Sequence, residues 1–198
     1  METAPLIAGV DEVGRGALFG PVVAAVVVVR RSDFPRLIEL GVRDSKRLTP
    51  RRREKLSDRI REIAVEVRVG YATVAEIDRL NIFHASLLAM RRAVTKLSCT
   101  PSLCLIDGMH TLVDLSIVQE AMVKGDERSP AIAAASIVAK VWRDDLITRW
   151  AKRYPDHALD LHKGYGTARH LQAIREFGIT SQHRRSFSPC RVIDGDVR

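Results

Sequence analysis

The stretch Leu6-Ile7-Ala8-Gly9-Val10-Asp11-Glu12-Val13-Gly14-Arg15-Gly16-Ala17-Leu18-Phe19-Gly20, followed by the Val-rich run Pro21 to Val29, decides the fold. A short apolar segment, Leu6 to Val10, ends at Asp11. A glycine-rich turn then opens into a β-branched run, which favours a buried strand over a helix. Two strands joined by a short turn suggest an antiparallel pair. The turn looks like a phosphate-cradling loop, but Gly14, Gly16 and Gly20 follow GxGxxxG spacing rather than GxGxxG. It also feeds a strand, whereas a dinucleotide fingerprint opens a helix whose N-terminus holds the pyrophosphate. No Gly-Lys-Ser/Thr follows, so a Walker loop fails as well. A flexible turn remains, carrying an arginine, with backbone amides able to approach a ligand closely. A plain hairpin turn is the competing reading.

Outward from this pair, Thr49-Pro50 reads as an N-cap with proline at the first helical position, and Leu56, Ile60, Ile63 and Ala64 continue at helical spacing. Val65, Val67, Val69 and Tyr71 alternate as in a strand. Leu80 to Leu97 reads as one helix. Leu103 to Ile106 is a short apolar run that also ends in Asp, at Asp107, and Leu115 to Val123 reads as a further strand. Ser129-Pro130 opens a long Ala-rich helix stopped by Tyr154-Pro155. The glycine loop Lys163-Gly164-Tyr165-Gly166 leads to a last helix capped by Thr167 and ended by Gly178. The order predicts an α/β fold: a mixed sheet with helices packed on it. No repeat, low-complexity tract or long linker interrupts it, so residues 1–198 are expected to form one domain.

At 198 residues and 46% hydrophobic, the chain can bury a sizeable core. Its longest apolar run, Val22 to Val29, falls well short of the roughly 20 residues that span a bilayer. The start, Met1-Glu2-Thr3-Ala4-Pro5, has no basic segment or long apolar stretch of a secretory signal. Cys99, Cys104 and Cys190 are odd in number and lack CxxC spacing, which points to a reducing cytoplasm and away from a disulfide framework. With 32 Lys and Arg against 24 Asp and Glu, the net charge is +8, which suits a polyanionic partner.

The acidic residues carry the chemistry. Asp11 and Asp107 each end an apolar run, where a carboxylate is partly desolvated. Such groups on neighbouring strands repel, and a divalent cation relieves the repulsion, since hard oxygen ligands suit Mg²⁺ or Mn²⁺. Glu12 adds a carboxylate if the strand begins to turn, and Asp126, in Lys124-Gly125-Asp126, is a fourth candidate. The basic residues cluster. Lys46 and Arg47 follow Asp44-Ser45. Arg51 to Arg53 open a helix, where the dipole disfavours cations and an external anion would help. Lys163 and Tyr165 share the glycine loop, and His183, Arg184 and Arg185 form a late group. Basic groups with one aromatic suit backbone phosphates and one stacked sugar or base. None of the six histidines shows metal-ligand spacing.

Asp11-Glu12-Val13-Gly14-Arg15-Gly16 resembles the opening motif of ribonuclease HII. The likeness continues through Gly20-Pro21-Val22-Val23-Ala24-Ala25, Asp44-Ser45-Lys46, Asn81-Ile82, Ile106-Asp107-Gly108 and Lys124-Gly125-Asp126. It then runs through Ala133 to Lys140, Arg143-Asp144, His162 to Thr167, and His183 to Phe187. The motifs appear in family order from about residue 7 to 189.

The resemblance implies a ribonuclease H-like mixed five-stranded sheet flanked by helices, with a helical, substrate-contacting C-terminal region from roughly residue 155 to 198. It implies endonucleolytic cleavage of RNA paired to DNA, and incision 5′ to a single ribonucleotide embedded in duplex DNA. The products would carry 5′-phosphate and 3′-hydroxyl ends, as in ribonucleotide removal during replication and repair. Asp11, Glu12, Asp107 and Asp126 match the catalytic metal-binding carboxylates, which would hold two Mn²⁺ or Mg²⁺ ions. Gly14, Arg15 and Gly16 match the loop that senses the 2′-hydroxyl at the RNA–DNA junction. Tyr165 matches the tyrosine stacked near the junction sugar, and Lys46 a phosphate-contacting lysine. Ser45, Lys163 and Arg184 complete the expected substrate contacts. A monomer is expected, with no sliding-clamp-binding motif in Arg191 to Arg198. Ala17-Leu18-Phe19 departs from the family's usual Pro-Leu-Ala, and Phe19-Gly20-Pro21 leans toward ribonuclease HIII. The Arg of GRG and the start of the motif at residue 11 argue for HII.

Overall fold

Valine density dictates the centre of the molecule. In the computed structural model, which describes residues 4–43, 45 and 48–195, strand β1 (Leu6–Val13) pairs antiparallel with β2 (Val22–Arg30). The register runs without a break from Leu6 opposite Arg30 to Val13 opposite Val23. Strand β3 (Glu66–Ala72) continues antiparallel on the outer side of β2. On the other side of β1 lie β4 (Leu103–Asp107) and β5 (Gln119–Met122), both parallel. The order β3-β2-β1-β4-β5 is the mixed five-stranded sheet the sequence predicted.

Helices cover both faces. They are α1 (Phe34–Glu39), α2 (Pro50–Ile63), α3 (Val74–Leu80), α4 (Ile82–Val94), α5 (Gly125–Arg128), α6 (Pro130–Ala151), α7 (Leu159–His162), α8 (Ala168–Phe177) and α9 (Ser188–Gly195). Strand periodicity sorts the core into two layers. Ile7, Ala25, Val27 and Val29 pack with α6 and with Leu56, Ile60 and Ile63 of α2. Ala8, Val10, Ala24, Val26 and Val28 pack with Ile77 of α3 and with Ala85 and Ala89 of α4. Because β2 is covered on both sides, its run from Val22 to Val29 is wholly buried, and unbroken valine is the sequence such a strand requires.

The Ala-rich half of α6 seats directly on β1. A Cβ built on Gly9 would lie 2.1 Å from the carbonyl carbon of Ala131, so the strand and helix backbones touch there. Gly9→Ala is therefore expected to lower the free energy of unfolding by about 1–3 kcal/mol, as overpacking does. Urea unfolding checks it, and wild-type stability in that variant would contradict this seating of α6.

Three stretches differ from the sequence reading. The expected helix Leu80 to Leu97 narrows to α4, Ile82–Val94, because Asn81 stands at φ 69° and its carboxamide oxygen accepts the Phe83 and His84 N–H groups to start the helix there. Helix α3, just upstream and started by a reciprocal Thr73–Glu76 capping box, was not expected from the sequence. The expected strand Leu115 to Val123 shortens to Gln119–Met122.

The unusual Ala17-Leu18-Phe19 segment ties the β1–β2 turn to the C-terminal helices. Ala17 bridges Tyr165 and Phe19 bridges His183, both antiparallel. Leu18 packs with Ile174 and Cys190. The fully buried Phe19 ring meets Trp150, Tyr154 and His183 edge-on, with centroids 5.9, 5.5 and 5.0 Å away. Aromatic packing accounts for this departure from the usual motif. Among the described residues, no helix is long and apolar enough to cross a membrane.

Candidate active site

Parallel pairing of β1 with β4 sets Val10 opposite Ile106, so the residues that follow, Asp11 and Asp107, lie side by side where that pairing ends. Glu12 joins them as β1 reaches the turn. Carboxylate oxygens of Asp11, Glu12 and Asp107 lie within 4.8 Å of one another. Asp107 Oδ1 accepts the Gly125 N–H at 2.7 Å, which anchors the start of α5 and brings the buried Asp126 to the same cleft. The cleft holds about 470 Å³.

The electrostatics of this cluster are strained. Burial, then the charges of Glu12 and Asp107, push the Asp11 carboxyl well above the usual carboxylate range. The Ser136 hydroxyl and the Glu12 N–H, 2.6 Å from Asp11 Oδ1, act the other way. Burial also raises Glu12, against the pull of Arg15, whose Nη1 stands 3.2 Å from Glu12 Oε1. Crowded hard oxygen donors that resist ionisation together are the chemistry a divalent cation satisfies. Asp11, Glu12 and Asp107, with Asp126 beside them, fit such an ion.

The far wall is the glycine turn and Tyr165. Gly14 takes φ 90°, open to glycine, and a Cβ there would meet Arg143 Nε at 2.2 Å. Nothing would obstruct a Cβ at Gly16, so its backbone is open to a ligand, and the Arg15 side chain is half exposed. Two cations stand over the Tyr165 ring, Lys140 Nζ at 5.4 Å from its centroid and Arg143 Cζ at 5.5 Å. Ser45 also lines the cleft, and its hydroxyl meets that of Ser136 at 2.9 Å. Ser136 and Lys140 were not singled out from the sequence. Both lie on α6, four residues apart, and that spacing was the available signal.

Other expected substrate contacts fall elsewhere. Lys46 lies outside the described residues. Lys163 points away from the carboxylates, its ammonium donating to Thr148 Oγ1 at 2.8 Å and to the Asp160 carbonyl at 2.6 Å. Arg184 is fully buried. It donates to the carbonyls of Gly14 at 2.7 Å, Arg15 at 2.8 Å and Gly20 at 2.9 Å. A phosphate contact by Arg184 is therefore replaced by a grip on the turn from beneath. The anion suggested for Arg51 to Arg53 is replaced in part too. Arg53 donates to the Ser45 and Leu48 carbonyls, and Arg52 to that of Leu40.

A chain of buried histidines stands behind Tyr165. The Thr180 N–H donates to His183 Nδ1 at 2.9 Å, and Nε2 of His183 faces Nε2 of His170 at 3.2 Å. His170 Nδ1 reaches the Tyr165 carbonyl at 3.0 Å. An amide N–H only donates and a carbonyl only accepts, so both rings must be neutral, with His183 donating to His170. Burial, then neighbouring imidazoles, lowers His170 to about 4 and His183 to about 3.

Comparison with known proteins identifies the family. The family model described as Ribonuclease HII matches residues 8–190. A ribonuclease HII of Microcystis aeruginosa is 69% identical over 96% of this chain and 91% of its own length. The ribonuclease H2 crystal structure from Pyrococcus horikoshii superposes with a TM-score of 0.83 at 28% identity, covering 96% of this chain and 97% of that one. The Archaeoglobus fulgidus ribonuclease HII, solved in complex with PCNA, gives 0.76 at 30% identity over 90% and 91% of the two chains. With its acidic cluster at the end of a mixed five-stranded sheet and a match along nearly its whole length, the chain belongs to the ribonuclease HII family and is a ribonuclease H hydrolase.

Proposed function

We propose that the protein is an endonuclease that hydrolyses the RNA strand of RNA–DNA hybrids and incises 5′ to single ribonucleotides in duplex DNA, leaving 5′-phosphate and 3′-hydroxyl ends. The convergence of Asp11, Glu12 and Asp107 within 4.8 Å, facing a glycine turn and Tyr165 across one cleft, carries the reading. Asp11, Glu12, Asp107 and Asp126 would hold two divalent ions, Mn²⁺ or Mg²⁺. When bound, such ions activate a water and stabilise the leaving 3′-oxygen. The open backbone at Gly16 and the exposed Arg15 would meet a sugar 2′-hydroxyl, the group that distinguishes RNA from DNA at one residue. Tyr165 offers its ring as the stacking platform for the junction sugar. Of the C-terminal region from about residue 155, Tyr165 is the substrate-facing group, while Arg184 and His170 hold the loops beneath it. One chain supplies the whole cleft, so we read the protein as acting as a monomer. The three unpaired cysteines suit the cytoplasm, and ribonucleotide removal during DNA replication and repair is the matching role.

Incubating the protein with duplex DNA containing one ribonucleotide, in Mg²⁺, Mn²⁺ or EDTA, tests the reading. A metal-dependent nick on the 5′ side of the ribonucleotide is expected, with binding that weakens as salt is added. Binding without cleavage in either metal would favour a non-catalytic nucleic-acid-binding protein.

A further inference from the structure

Arg143 is fully buried in α6, and its three kinds of donor nitrogen go to three carbonyls. Nε donates to Pro21 at 3.1 Å, Nη1 to Lys163 at 2.9 Å and Nη2 to Phe19 at 2.9 Å. Its side chain also packs under Gly14 so closely that a Cβ there would overlap it, and its guanidinium faces the Tyr165 ring. One side chain thus touches both loops that border the cleft. Arg184 grips the Gly14 and Arg15 carbonyls from the same buried layer.

Burying a guanidinium is costly unless its hydrogen bonds are satisfied, and here backbone carbonyls of the turn satisfy them. The Lys163 backbone makes the arrangement more specific. It sits in the left-handed region at φ 52°, a conformation a non-glycine residue adopts at a cost, and its carbonyl is the one Arg143 Nη1 holds. Two residues later comes Tyr165, whose own carbonyl is held by His170.

We infer that Arg143, with Arg184 as its companion, is a positioning residue that sets the gap between the Tyr165 ring and the Gly14-Arg15-Gly16 turn, and thereby the selectivity for an RNA–DNA junction. The inference rests on the function proposed above. Reading a single 2′-hydroxyl between a ring and a turn needs that gap held to within about 0.5 Å. Arginine suits this because its planar fork reaches several carbonyls at fixed angles, whereas lysine carries a point charge on a flexible stem.

The test compares wild type, Arg143→Lys, Tyr165→Ala and the double variant on two duplexes, one with a single ribonucleotide and one with a continuous RNA strand. Thermal melting confirms folding. Arg143→Gln, which keeps an amide donor, replaces the lysine variant if that variant melts below assay temperature. For Arg143→Lys, kcat on the single-ribonucleotide duplex is expected to fall about 10- to 100-fold with KM nearly unchanged, as small misplacements at a reacting centre do. The fall on the continuous hybrid is expected to be several-fold smaller, and the effect should largely vanish in the Tyr165→Ala background. Equal losses on both duplexes, or a full further loss on top of Tyr165→Ala, would overturn the positioning role alone. Absence of any metal-dependent cleavage by wild type would overturn the proposed function, and this inference with it.

Discussion

Asp11→Asn is expected to abolish metal-dependent nicking of a duplex carrying one ribonucleotide, a loss of about a thousandfold or more in kcat, while the duplex still binds. Asp11 is the most buried of the carboxylates and the centre of their mutual repulsion. Asparagine keeps its shape but removes the charge and half of the hard oxygen donors a cation needs. The groups proposed to contact nucleic acid, Arg15, Gly16 and Tyr165, keep their side chains and backbone in this variant.

The same substitution has an opposite effect on the metal-free fold. A carboxyl whose folded pKa lies above its unfolded value contributes stability that is fully present below the unfolded value. That stability is lost as pH rises through the folded one. At pH 7 the Asp11 and Glu12 carboxylates therefore work against the empty fold. Asp11→Asn should melt higher than wild type in EDTA. Mn²⁺ should raise the melting temperature of wild type and do less for the variant. Wild-type cutting by Asp11→Asn, or no thermal response of wild type to Mn²⁺, would refute the assignment of Asp11 to a metal cage.

How far the sequence foretold this depends on the kind of signal each residue leaves. Asp11 and Asp107 were legible because each ends an apolar run, and a sheet places strand ends together. The Val-rich run after the turn was legible for the same reason: burial on both faces leaves no alternation, only β-branched residues. Ser136 and Lys140 were not singled out, because most of the Ala-rich half of α6 is buried on every side. The one mark of the side that faces the cleft is the pair Ser136 and Lys140 a turn apart, too short a stripe to stand out. Arg184 was misjudged for a different reason. A run of His and Arg reads as exposed charge, and nothing local shows that the carbonyls of a turn some 170 residues earlier are waiting for it. Helix α3 was missed and the start of α4 misplaced at Leu80, since one Asn81 side-chain cap at positive φ decides that boundary.

The histidine chain left no sequence signal, being spread over α7, α8 and the loop after it, yet it predicts steep acid lability. His170 and His183 have folded pKa values depressed to about 4 and about 3, against an ordinary 6.5. A depressed folded value means the contribution is fully present above the unfolded pKa and is lost as pH falls toward the folded one. The unfolded chain takes up both protons below about pH 6.5, while the folded chain refuses them. A proton on His170 would set its Nε2–H against the His183 Nε2–H at 3.2 Å, and a proton on His183 would set its Nδ1–H against the Thr180 N–H at 2.9 Å. Between pH 6.5 and 4 each neutral histidine steepens the decline by up to about 1.4 kcal/mol per pH unit, and because part of His183's shift is the charge of His170 the pair removes several kcal/mol rather than twice a single loss. His162, also lowered by burial, adds in the same direction. Asp11 and Glu12 oppose it, since their raised values favour the acid side. The histidine loss is still comparable with the whole stability of a typical domain, about 5–15 kcal/mol. Urea unfolding of the metal-free protein at pH 7, 5.5 and 4.5 should show a steep decline. His183→Gln should make the slope shallower by about 1.4 kcal/mol per unit, whatever it does to stability at pH 7. Equal slopes in wild type and His183→Gln would mean that His170 and His183 are not held neutral in this chain. Their hold on the Tyr165 carbonyl would then need another account.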